Sequence, residues 1–120
     1  DEEAEQIAKS FVVTFQDRNN NIRVDNKKSL SSAQLRRFYG DFKSLEKKVE
    51  KQDFDKVKPL IKMVKSKASY AANPQNQKIP ARFKDFLIDN VNSINNRKEF
   101  EAFMLHFEAV VGFYYGMGIE

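Results

Sequence analysis

Catalysis needs particular side chains at particular spacings, and this chain offers few of them. His106 is the only histidine and sits among apolar neighbours, with no serine at a spacing that suggests a nucleophile. Cysteine is absent, which excludes disulfides, zinc fingers, iron–sulfur ligation and thiol catalysis together. Glu99, Glu101 and Glu108 do not fall in the Glu-x-x-His pattern of di-metal helical bundles, and the first two sit where a helix dipole attracts acids. None of the glycines, Gly40, Gly112, Gly116 and Gly118, belongs to a phosphate-cradling loop. The chain is therefore expected not to be an enzyme, and to hold no metal and no cofactor. Its chemical resource is positive charge. Lysine and arginine number 21 against 17 acids, and the excess is concentrated: residues 27–77 carry thirteen bases and five acids, whereas residues 1–17 are net negative. Such a cluster binds polyanions when the fold gathers it on one face.

The elements that must position these charges are helices. At 120 residues, with 41% hydrophobic and 32% charged residues, the chain has the composition of a soluble single domain, residues 1–120, able to bury one core. No apolar run approaches the roughly 20 residues of a membrane span, and no signal-peptide pattern is present, so a cytoplasmic location is expected. The first residue is Asp1 rather than Met, and an upstream start is expected. The spacing of apolar residues predicts five helices, over about 2–16, 32–51, 54–72, 81–94 and 97–115. The first is opened by Asp1, Glu2, Glu3 and Glu5 and followed by a polar loop, DRNNNIRVDNKKS, with no two-residue hairpin signal. The second has Ser31 as N-cap with Gln34 three residues on, and its stripe is Leu35, Phe38, Phe42, Leu45 and Val49. The third contains Pro59, which predicts a start near it or a kink. No segment alternates with period 2. The expected fold class is all-α, a compact bundle of about five helices.

On the second helix the apolar positions span an arc of roughly 80°. Arg36, Lys43 and Lys47 lie almost on one line opposite that arc, and Arg37, Lys48 and Lys51 extend the same side, with Asp41, Glu46 and Glu50 at its edges. A lone lysine-rich helix is most often just a solvated face. The third helix repeats the arrangement, with Lys58, Lys62 and Lys65 on one side of its stripe and Lys56, Met63, Lys67 and Tyr70 on the other. Paired through their apolar stripes, the two helices would border a basic groove that tracks phosphates rather than reads bases. Tyr70 beside Lys67 is either a stacking residue or a half-buried packing one. The last helix is apolar on two sides: Leu105, Ala109 and Phe113, with Ala102 and His106, fall opposite its core stripe of Phe100, Phe103, Met104, Phe107, Val110, Val111 and Tyr114. A second apolar face is enclosed or meets a partner.

Three stretches carry a family resemblance. Ser31–Phe42, SSAQLRRFYGDF, presents Ser32, Gln34, Leu35, Arg36, Arg37 and Phe38; Val64–Ala72, VKSKASYAA, presents Lys65, Lys67, Tyr70 and Ala71; Phe100–Gly118 presents Phe100, Phe103, Glu108 and Ala109. In this order they resemble the motifs of the small subunit of type III-A CRISPR effector complexes, the Csm small subunit. The chain departs from that family at Ala72, Asn73 and Pro74, where an Ala-Gly-Arg run is frequent, and its N-terminal part matches only as a helix followed by a polar loop. The resemblance implies a compact helical, non-catalytic subunit with a role in antiviral defence. It would stack in several copies head-to-tail beside the other Csm subunits and contact the guide and target RNA backbone without sequence specificity. Base pairing with the guide carries the sequence information, so charge and shape suffice for the protein.

On this basis Arg36, Arg37, Lys43, Lys47 and Lys48 are expected to face phosphates, with Lys62, Lys65 and Lys67 in second rank. Leu105, Ala109 and Phe113 are expected to contact a neighbouring copy, a heterologous contact that propagates. No membrane and no small-molecule substrate is expected. Two other classes compete. One is a helix-turn-helix-like DNA regulator with SSAQLRRF opening a recognition helix, against which stand the missing glycine turn and the long preceding loop. The other is a protein–protein adaptor whose charges only solubilise it. The type III-B small subunit is the nearest alternative within the resemblance.

Overall fold

Asp1 opens the first helix, α1 (Glu2–Ser10): its carboxylate accepts the Ala4 N–H at 2.7 Å, and Glu2, Glu3 and Glu5 stand in the first turn, where the dipole favours acids. The helix stops at Ser10, short of the expected end near residue 16. Val12, Val13 and Thr14 follow, three β-branched residues in a row that suit extended backbone better than helix. The chain then forms an antiparallel hairpin of β1 (Thr14–Gln16) and β2 (Ile22–Val24), paired Thr14↔Val24, Phe15↔Arg23 and Gln16↔Ile22. Its five-residue turn is organised by Asp17, whose carboxylate accepts the N–H groups of Asn19 at 2.8 Å and Asn21 at 2.9 Å and pairs with Arg23. The Arg23 guanidinium is the main reason the Asp17 carboxyl titrates below its usual range. Asn20 supplies the left-handed residue at φ 64°. Below the hairpin, buried Ser29 accepts the Val13 N–H at 2.7 Å and donates to the Val13 carbonyl at 3.2 Å.

The computed structural model describes residues 1–120. Apart from the hairpin the chain is helical: α2 (Ser32–Lys51), α3 (Phe54–Lys62), α4 (Val64–Ala71), α5 (Ala81–Asn92) and α6 (Arg97–Gly116), with a 3-10 turn over Pro74–Asn76. The Ser31 hydroxyl accepts the Gln34 N–H at 3.2 Å, so the expected cap of α2 is present. All five stripe residues of α2 are buried. The single third helix expected over 54–72 is two. It starts at Phe54 as predicted and carries Pro59 inside its span, but the hydrogen-bond ladder ends with Met63 N–H on the Pro59 carbonyl and restarts with Ser66 and Lys67 on the Met63 carbonyl. Pro59 removes one rung and crowds the turn before it without ending α3; the break falls a turn later, at the exposed Met63. Helix α5 ends at Asn92 rather than 94.

Helix α6 is the spine. Its core stripe, from Phe100 to Tyr114, is buried as expected, and α1 and α2 pack against it while α5 packs against α4 and α3. Aromatic rings fill the junction: Phe42 meets Phe103 and Phe107 edge-on at 5.0 and 5.5 Å, and Phe11 meets Phe83 at 5.1 Å, a geometry that adds to area burial. Two polar ties join α6 to the ends of α2. The Arg97 guanidinium donates to the Val49 carbonyl at 2.6 Å, and the buried Tyr114 hydroxyl donates to the carbonyl of Leu30, just before the α2 cap. Burial pushes the Tyr114 phenol up to about 12.

Candidate nucleic-acid interface

Because α2 and α3–α4 bury their apolar stripes against the shared core, the edges of those stripes face each other across a shallow groove. One half is a hollow of about 250 Å³ between Asp41, Ser44, Leu45 and Lys48 of α2 and Leu60, Met63, Val64 and Lys67 on the opposite wall. The other, of about 200 Å³, lies between Gln34, Arg37, Phe38 and Asp41 on one side and Lys67, Tyr70 and Ala71 on the other, with Lys78 at its rim. Asp41 and Lys67 belong to both halves and pair across the groove at 3.4 Å. The groove thus gathers Arg37, Lys48, Lys67 and Lys78 around a single acid.

The basic sector read on α2 divides in two. Arg37 and Lys48 fall on the groove flank, whereas Arg36, Lys43 and Lys47 run along the outer flank. There Lys43 forms an ion pair with Glu46 at 2.8 Å. The Glu46 carboxylate, by hydrogen bond and charge, is the main reason the Lys43 ammonium titrates above its usual value. Arg36 and Lys47 are exposed.

The two sides of the expected third helix separate in the same way. Lys67 and Tyr70 enter the groove with Met63. Lys62 and Lys65 turn to α5 instead: the Lys62 ammonium donates to the carbonyls of Val91 at 2.7 Å and Asn92 at 3.4 Å, and Lys65 donates to the Asn92 side chain at 2.7 Å. They complete the carbonyl end of α5, where the helix dipole is negative. Desolvation, then the charges of Lys65 and Lys58, lowers the Lys62 titration.

Lys78 did not emerge from helical spacing. Pro74 opens the 3-10 turn, and the chain folds back so that the N–H groups of Lys78 and Ile79 bond the Ala71 carbonyl at 2.7 and 3.1 Å. That return sets a cation next to the end of α4. Gln34, the capping-box partner of Ser31, and Asp41, at the edge of the basic sector, both line the groove.

Away from the groove lining, α6 shows the second apolar face. Leu105 is 72% and Phe113 36% exposed, Ala109 is half-buried, and the exposed Gly112 and Gly116 lie on the same side. His106 packs its ring toward Phe86 at 6.0 Å. No group of three or more His, Asp or Glu residues is arranged to hold a metal ion, and no helix is long and apolar enough to cross a membrane.

The family model described as Csm2 Type III-A matches residues 2–117, nearly the whole chain. The chain belongs to the Csm2 family. No curated protein and no solved structure matches it. Membership makes this Csm2 protein a type III-A CRISPR small subunit and so a component of a Csm complex with other subunits. The match includes the hairpin that departs from the all-helical expectation, as well as both walls of the groove.

Proposed function

We propose that the protein is a non-catalytic small subunit that grips the guide and target RNA backbone without reading sequence, stacked in several copies along a cytoplasmic antiviral complex. The groove between α2 and α3–α4 carries this reading: four cations converge around one acid, on two helices fixed by a common core. Lysine is a point charge and arginine a fork, and both bind phosphate oxygens irrespective of base. Arg37, Lys48 and Lys67 form the principal contacts with Lys78, and Arg36, Lys43 and Lys47 extend the basic surface around α2. Lys62 and Lys65 support α5 and contribute charge at longer range. Leu105, Ala109 and Phe113 form the surface that meets the next copy.

The test is retention of guide and target RNA by the assembled complex carrying Arg37→Glu, Lys48→Glu or both, measured over about 50 to 200 mM salt. Each removed contact should weaken retention equally for unrelated RNA sequences and flatten the log–log salt slope by about 0.7. Retention at the wild-type level with both charges reversed would overturn the assignment. A binding strength insensitive to salt would favour a purely protein-contacting subunit.

A further inference from the structure

Tyr70 is 74% exposed although its neighbours Ala68 and Ala71 are buried in the core. A ring three-quarters exposed contributes little to folding, which sets aside the half-buried packing role open from sequence. Its surroundings are specific. Phe38 and Ala71 give the hollow of about 200 Å³ an apolar floor, the Gln34 amide and the Asp41 carboxylate offer donors and acceptors at its edge, and Arg37, Lys67 and Lys78 surround it with positive charge. A flat aromatic face, a polar edge and a ring of cations are the three features that recognise the three parts of a nucleotide: base, base edge or ribose hydroxyl, and phosphate.

We infer that this hollow is a binding site for a single unstacked ribonucleotide, with Tyr70 as the stacking face, rather than one more stretch of phosphate track. The inference rests on the RNA-binding reading above and adds a position to it. Bases within a paired duplex hide both faces in the stack, so only an unpaired or extruded base can lie on Tyr70. The hollow opens into the second half of the groove at the Asp41–Lys67 pair. The strand that delivers the base can therefore continue past Lys48 without leaving positive charge. Asp41 is the one acid in the groove and would repel phosphate. It suits a donor instead, a ribose 2′-hydroxyl or an exocyclic amine, and on binding Lys67 exchanges this carboxylate for a phosphate. Stacking tolerates any base, so the site selects an unpaired position and not a sequence.

The experiment uses the assembled complex with its guide and target RNAs that each carry one 2-aminopurine, moved position by position. Wild-type complex should quench the probe at particular positions. Tyr70→Ala should restore its fluorescence there and weaken RNA retention about tenfold, while Tyr70→Phe should behave as wild type. Because Tyr70 is exposed, both variants should keep the wild-type melting temperature. The outcomes separate the two readings. If Tyr70→Ala leaves quenching and retention unchanged while Arg37→Glu with Lys48→Glu abolishes retention, the nucleotide site is wrong and the backbone grip stands. If neither change alters retention, both are wrong. Restored fluorescence in Tyr70→Phe as well would assign the effect to the hydroxyl and overturn stacking.

Discussion

Both flanks of α2 carry cations, Arg36, Lys43 and Lys47 on the outer side and Arg37 and Lys48 along the groove, yet the fold treats them differently. On the outer flank Lys43 is neutralised by Glu46, and Arg36, Lys43 and Lys47 line no hollow. On the groove flank α4 and the returning segment at Lys78 face the helix with cations of their own. Charge on an open, solvated face is screened within a Debye length of about 8 Å at physiological salt. Charge lining a concavity acts on the same phosphate from two walls. What distinguishes a binding face from a solvated one is therefore the opposite wall, which no single helix encodes.

The largest effect should come from reversing the groove charges. Arg37→Glu with Lys48→Glu is expected to lower RNA retention by the complex at least about thirtyfold near 150 mM salt, against a few-fold for Arg36→Glu with Lys47→Glu. The opposite ranking, read in the same filter-binding titration, would break the comparison. Lys62→Met sharpens it from another direction. It removes the cap on the Val91 and Asn92 carbonyls and should cost about 1 kcal/mol, a melting-temperature drop of roughly 4 °C. RNA retention by the folded complex should change less than about twofold.

A further test spares both flanks. The Tyr114 phenol titrates at about 12 in the fold against a reference of 10.0. The folded protein thus holds that proton more tightly than the unfolded chain. The stabilisation is complete below pH 10 and is lost as pH rises from 10 to 12. Melting curves over that range should converge for wild type and Tyr114→Phe. The smallest effect is expected from Glu46→Gln, which frees Lys43 and should raise RNA retention by about twofold or less. A larger gain would mean that the ion pair alone, not the missing second wall, separates the flanks.

Legibility followed burial. The stripe Leu35, Phe38, Phe42, Leu45 and Val49 and the Ser31 cap are local signals, and both stand in the structure as expected. The hairpin escaped because it buries nothing: all six strand residues are exposed, Phe15, Ile22 and Val24 among them. No alternation was imposed on it by a core, and its five-residue turn read as a polar loop. Phe15 stands one turn beyond Phe11, the spacing of a continuing helix, but only Phe11 enters the core. At the candidate site, Lys67 and Tyr70 were separable from Lys62 and Lys65 by helical spacing. Which side faced α2 and which faced α5 depended on long-range packing. Lys78 was invisible for the same reason, since its position follows from a backbone return to Ala71.

One wall of the groove is anchored and the other is jointed. Helix α2 is held near both ends by α6, through Arg97 on the Val49 carbonyl and Tyr114 on the Leu30 carbonyl. The facing wall is broken at Met63 between α3 and α4. The groove therefore sets one continuous wall against one built of two short helices, buttressed from behind on α5 by Lys62 and Lys65.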